Sequence, residues 1–148
     1  MSPLTIMSFA YSRGEPPDAN LVFDMRFLRN PHWEDSLRPL SGLDAAVGAY
    51  IAGDAAYAEA LSRIEALLVT LLPLYQADGK ALVRVAFGCT GGRHRSVHIA
   101  EHVAGRLRAA GFSPRLEHRD LAAPPRDGTE RSAGDSPKGT GQTAAKVK

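Results

Sequence analysis

The chain has 148 residues and a formal net charge of +2, with 18 Lys and Arg set against 16 Asp and Glu. That length suits one ordinary domain with a real core and leaves no room for two of typical size. The small basic excess permits acidic partners such as RNA or phosphorylated metabolites without requiring them. The single cysteine, Cys89, excludes an intramolecular disulfide framework. Met1 to Tyr11 lacks the basic stretch and long apolar core of a signal peptide, and no apolar run approaches the roughly 20 residues of a membrane span. A soluble, cytoplasmic protein is expected.

Leu4 to Tyr11 and Asn20 to Leu28 are short apolar runs that read as strands. Arg13-Gly14-Glu15-Pro16-Pro17-Asp18 separates them as a loop, because proline and glycine stop both kinds of element. Asn30 to Gly42 contains Pro31, Pro39 and Gly42 and reads as an irregular loop carrying His32, Trp33 and Arg38. A loop this long is usually functional or mobile. Asp44 to Ala52 predicts a short helix. A longer one follows from Asp54, where Tyr57, Leu61, Ile64, Leu68, Leu71 and Tyr75 recur at helical spacing, with Pro73 expected to bend or end its last turn.

Ala81 to Phe87 reads as a buried strand, Gly88 to Arg95 as a glycine-bearing loop, and Ser96 to Ala110 as a helix closed by Gly111. Arg115 to Leu121 predicts one more strand. Alternating strands and helices, with a crossover from strand through helix to strand, point to an α/β domain with a mixed, partly parallel sheet flanked by helices. The domain is expected to span 1–123. From Pro124 to Lys148 there is no Leu, Ile, Met or aromatic residue, so 124–148 is expected to be a solvated, disordered tail.

A strand that feeds a glycine-bearing turn into a helix gathers free backbone N–H groups and the positive end of the helix dipole at one spot. Here Thr90 and Ser96 add hydroxyls, Arg93 and Arg95 add cationic forks, and Gly91 and Gly92 let the main chain approach a ligand closely. Cys89, Thr90, Gly91, Gly92, Arg93, His94, Arg95 and Ser96 are therefore the candidate phosphate-binding residues. The spacing Cys-x-x-Gly-x-x-Arg-Ser over Cys89 to Ser96 also resembles the signature loop of cysteine-dependent phosphatases. In that family the cysteine is a thiolate nucleophile and the arginine clamps phosphoryl oxygens. Cys89 and Arg95 would be catalytic on that alternative, with Asp35 or Asp24 as candidate general acids. The residue before the cysteine departs from the pattern, being Gly88 where histidine is usual.

A second resemblance covers more of the chain. Val22-Phe23-Asp24-Met25-Arg26-Phe27-Leu28, Asn30-Pro31-His32-Trp33, Leu37-Arg38-Pro39-Leu40-Ser41-Gly42-Leu43-Asp44 and Gly88 to Ser96 resemble the C-terminal domain of the RapZ family of RNase adapter proteins. Arg115 to Leu121, with Glu117-His118-Arg119, is similar to that domain's last strand. The resemblance implies a regulatory domain that senses an amino-sugar phosphate such as glucosamine-6-phosphate and binds small RNAs for presentation to an RNase. An RNA-binding adapter without metabolite control is the other adapter reading. The resemblance places Asp24, Arg26 and His32 on the sugar side of the ligand and implies assembly into homo-oligomers. Full family members also carry an N-terminal P-loop domain, and no Gly-x-x-x-x-Gly-Lys-Ser/Thr string occurs here.

Asp24 and Arg26 sit two apart on a predicted strand and so share a face. Trp33 reads as a packing anchor. His94, His98 and His102, spaced by four, form a stripe on one helix face together with Glu101. Ligands stacked along one helix rarely converge on one ion, so no metal is expected. His94 is assigned to the phosphate loop, and His98 and His102 to the helix surface or an oligomer contact. No cofactor and no membrane partner are expected. The reading is a binding domain more than an enzyme.

Overall fold

The structure, a computed structural model, describes residues 3–79 and 81–123. The expected tail 124–148 lies outside the described residues. In chain order the elements are β1 (Leu4–Ala10), a 3-10 turn (Tyr11–Arg13), β2 (Leu21–Asp24), a second 3-10 turn (Pro31–Trp33), α1 (Ala45–Ala52), α2 (Tyr57–Ala77), β3 (Val83–Cys89), α3 (Arg95–Ala109) and β4 (Arg115–His118). The strands form one sheet in the order β2-β3-β1-β4. All three pairings are parallel. The sheet is thus an α/β sheet as expected, with no antiparallel pair among the described strands.

β1 and β3 occupy the middle of the sheet, which explains their near-continuous apolar sequence: a central parallel strand is covered on both faces. All seven residues of β1 are buried. Leu4 and Ile6 of β1 with Val83, Val85 and Phe87 of β3 pack against Leu61, Leu68 and Leu72 of α2 and Ile99, Val103 and Leu107 of α3. Met7, Phe9 and Ala86 face the other way and pack with Tyr11 and Ala19 from the β1–β2 connection. Three helices thus pack on one face of the sheet and the β1–β2 connection on the other.

Several boundaries differ from the sequence reading. α2 runs through Pro73 to Ala77 and is not ended there; Pro73 and the position four residues before it, Val69, are both on the exposed side, where water can take the carbonyl that proline leaves without a donor. β3 continues through Gly88 and Cys89, so the loop is shorter than expected, from Thr90 to His94. β2 stops at Asp24, and β4 at His118. Gly111 has a φ of 100° just past α3, in the left-handed conformation expected of a helix-closing glycine.

Gly42 shows how the long 30–42 loop is held. Its N–H donates to the Arg93 carbonyl at 2.7 Å, and a Cβ there would stand 2.4 Å from both the His94 carbonyl oxygen and the His98 nitrogen. Gly105, inside α3, has open space. Gly42→Ala should therefore lower stability by about 1–3 kcal/mol through overpacking against backbone. Gly105→Ala should raise it by up to about 1 kcal/mol, since alanine is the better helix former. Urea unfolding of the two variants checks both signs.

Candidate phosphate-binding site

The register places the carboxyl ends of three parallel strands side by side: Ala10 is opposite Cys89, and Asp24 is opposite Gly88. In open parallel sheets this edge is where ligands collect, because loops and helix N-termini converge there. The Thr90–His94 loop leaves β3 at this point and enters α3.

The loop is locked from outside by its own polar side chains. Arg93 donates to the carbonyls of Leu121 at 3.2 Å and Leu40 at 3.4 Å. His94 Nε2 donates to the Arg38 carbonyl at 3.2 Å. Arg95, only 1% exposed, donates to the carbonyls of Arg26 at 2.9 Å and Leu28 at 3.1 Å and to Thr90 Oγ1 at 3.4 Å. Gly92 takes a φ of 74°, and a Cβ there would stand 2.8 Å from the Ala10 Cβ. Among the described residues, no protein acceptor takes the N–H of Gly91, Gly92, Arg93 or His94. Four successive N–H groups without a protein acceptor at the start of a helix have the arrangement that suits an anion.

Cys89 is buried. Its thiol donates to Ser96 Oγ at 3.1 Å, and the Ser96 N–H donates to Sγ at 3.3 Å. The thiol therefore lies at the first turn of α3, at the base of the loop.

Asp24 and Arg26 are brought together, although Arg26 lies beyond the strand. Arg26 Nε and Nη2 grip the two Asp24 oxygens at 2.9 and 2.6 Å, a bidentate pair. Burial raises the Asp24 pKa, but the Arg26 hydrogen bonds and charge, with the Arg95 cation, outweigh it and hold the carboxyl below the usual carboxylate range. His32 sits in the Pro31–Trp33 turn, its ring edge-on to Trp33 with centroids 5.4 Å apart, and its carbonyl accepts from Arg38 Nε at 2.7 Å. Trp33 is partly buried.

Sequence reasoning missed three contributors. Tyr11 places its ring 4.0 Å beneath the Arg26 guanidinium. Asp120 Oδ2 accepts the Ala10 N–H at 2.7 Å and fixes the end of β1. Gly42 seats the long loop on α3. The signal for Gly42 was present in Leu40-Ser41-Gly42, but the non-local partners of the other two left no local trace.

The histidine stripe divides. His98 is only partly exposed: its Nε2 lies 2.8 Å from the Tyr57 hydroxyl, and its ring packs so closely on α1 that a Cβ at Gly48 would be 2.8 Å from Cε1. His102 pairs with Glu65 at 3.3 Å. Among the described residues no group of three His, Cys, Asp or Glu side chains is arranged to hold a metal.

Burial foremost, with the neighbouring Arg93 cation, pushes the His94 pKa down to about 4, and burial with His102 lowers that of His98. The native state keeps these rings neutral while the unfolded chain protonates near 6.5. Stability is therefore complete above about pH 6.5 and declines as pH falls toward 4, by up to about 3 kcal/mol for His94. His94→Gln, which keeps an N–H donor for the Arg38 carbonyl, should flatten the decline between pH 6.5 and 4. Urea midpoints across that range provide the check.

A family model of the RapZ C-terminal domain matches residues 2–122. A nucleotide-binding protein of Rhizorhabdus wittichii is 65% identical over 118 residues, covering 80% of this chain and 38% of that protein. Nucleotide-binding proteins of Sphingopyxis alaskensis and Novosphingobium aromaticivorans are 58% and 63% identical over 127 and 120 residues, covering 86% and 81% of this chain and 40% and 39% of theirs. The chain thus spans about two fifths of the length of the curated relatives it matches. With its parallel sheet, its strand-loop-helix unit and this match over most of its length, the chain belongs to the RapZ C-terminal domain family.

Proposed function

We propose that this domain is a regulatory sensor of a phosphomonoester, glucosamine-6-phosphate or a close relative, with the phosphate on the Cys89–Ser96 loop and the sugar toward Asp24, Arg26 and His32. The observation that carries this reading is the run of unmatched N–H groups from Gly91 to His94 at the start of α3. The ionised Asp24 nearby suits a ligand that also presents an ammonium or hydroxyl donor. The relatives named nucleotide-binding proteins match this chain over only part of their length, and a nucleotide's phosphate fits the same loop chemistry. Binding of small RNA, delivery to an RNase and homo-oligomer formation belong to the same regulatory reading. No described helix is long and apolar enough to cross a membrane, and a cytoplasmic setting suits a domain with one free thiol.

The cysteine phosphatase is the weaker reading. Arg95 is engaged with the carbonyls of Arg26 and Leu28. Asp35, a candidate acid, is almost fully exposed and paired with Arg38 at 2.8 Å.

Glucosamine-6-phosphate at millimolar concentration should raise the melting temperature, as a ligand that binds only the folded state must. Inorganic phosphate should give a smaller rise, and Gly91→Asp, which sets a carboxylate beside the loop, should abolish both. Cys89→Ser should keep binding within a few fold, with no phosphate release from aryl phosphates by the wild type. The absence of a shift with any phosphorylated sugar or nucleotide would overturn the reading. Ester hydrolysis lost in Cys89→Ser would replace it with the phosphatase.

A further inference from the structure

Tyr11 is an aromatic side chain at the end of β1 that touches the ends of β3 and β2. It follows β1 directly, and its ring lies over Gly88 of β3: a Cβ on Gly88 would stand 2.6 Å from Tyr11 Cε2 and 2.4 Å from Phe9 Cζ. Phe9 supports the ring edge-on, with centroids 4.8 Å apart at 63°. On the far side the ring meets the Arg26 guanidinium at 4.0 Å, the group that grips both oxygens of Asp24. The phenol thus reaches from the end of β1 across β3 to the Asp24–Arg26 pair at the end of β2.

Two further observations concern the hydroxyl. Among the described residues it forms no hydrogen bond, although Tyr11 is partly buried. Burial first, then the Asp24 carboxylate, raise its pKa against the opposing Arg26 cation, and Cys89 adds to the rise. The hydroxyl is therefore a protonated donor that feels both the Asp24 carboxylate and Cys89.

We infer that Tyr11 is a specificity-determining residue of the phosphomonoester site, its hydroxyl bonding a polar group on the organic part of the ligand while its ring holds the Asp24–Arg26 pair in place. The inference rests on the proposed phosphate-binding function and adds to it a division of labour. The loop N–H groups bind the phosphate common to all ligands. Tyr11 and Asp24 select among the groups attached to it. A hydroxyl contact of this kind is worth roughly tenfold in affinity when it is made in a partly desolvated site. The ring's role is separable, because phenylalanine keeps the face under Arg26 and loses only the hydroxyl.

The test is calorimetric titration of wild type, Tyr11→Phe and Tyr11→Leu with inorganic phosphate and with glucosamine-6-phosphate. Tyr11→Phe should bind inorganic phosphate within twofold of wild type and lose about tenfold for glucosamine-6-phosphate. Tyr11→Leu, which removes the platform under Arg26, should lose more for the sugar phosphate and still bind inorganic phosphate. Equal affinity of Tyr11→Phe and wild type for the sugar phosphate would overturn the inference while leaving phosphate binding standing. An equal loss for both probes would also overturn it, since the residue would then act on the loop as a whole. Failure of the wild type to bind either probe would remove the functional reading itself, and the inference with it.

Discussion

The buried guanidinium of Arg95 is the interaction on which the site depends. Its 1% exposure places a charge where water cannot reach it, a cost of several kcal/mol unless polar atoms surround it. The carbonyls of Arg26 and Leu28 and the Thr90 hydroxyl supply part of that surround. The same three bonds tie the segment after β2 to the loop before α3. The geometry at the strand ends therefore follows from solving a solvation problem. The Arg95 cation also adds a small part to the lowering of the Asp24 pKa, which the Arg26 hydrogen bonds and charge dominate.

From this anchor the division between structural and binding groups becomes intelligible. Side chains that look like phosphate ligands in the sequence, Arg93, His94 and Arg95, each reach a main-chain carbonyl elsewhere in the fold. Their bonds hold the loop against the 26–42 segment and the end of β4, and Gly42 closes the seam through the Arg93 carbonyl. A loop braced in this way presents its N–H groups in fixed positions, so little conformational entropy is lost when an anion binds. On the proposed function the phosphate is held by the backbone and the helix dipole, with these side chains bracing the loop.

The strand-loop-helix unit was legible because a central apolar strand, two glycines and a helix start are local signals, and the family resemblance over 22–44 and 88–96 was confirmed over most of the chain. The bounds of β2 and β3 were less so: apolar residues continue past Asp24, and nothing local distinguishes Gly88 in a strand from Gly88 in a loop. Its place in β3 follows from the Phe9 and Tyr11 rings, which fill the space of its missing Cβ. That packing also accounts for glycine where the phosphatase pattern has histidine. The packing of His98 on α1 was not legible because helical spacing gives a face but not its covering, which here is the Gly48 surface of α1. Pro73 does not end α2, because an exposed carbonyl can be satisfied by water.

On the proposed function, backbone N–H groups of the loop hold the ligand's phosphate. Amide-resolved NMR of the 15N-labelled chain during titration with glucosamine-6-phosphate tests it most directly. The account predicts saturable shifts concentrated at the amides of Gly91, Gly92, Arg93 and His94, with downfield movement as each N–H acquires an acceptor. Saturable shifts confined to other parts of the sheet or helices, with these four amides unmoved, would contradict it.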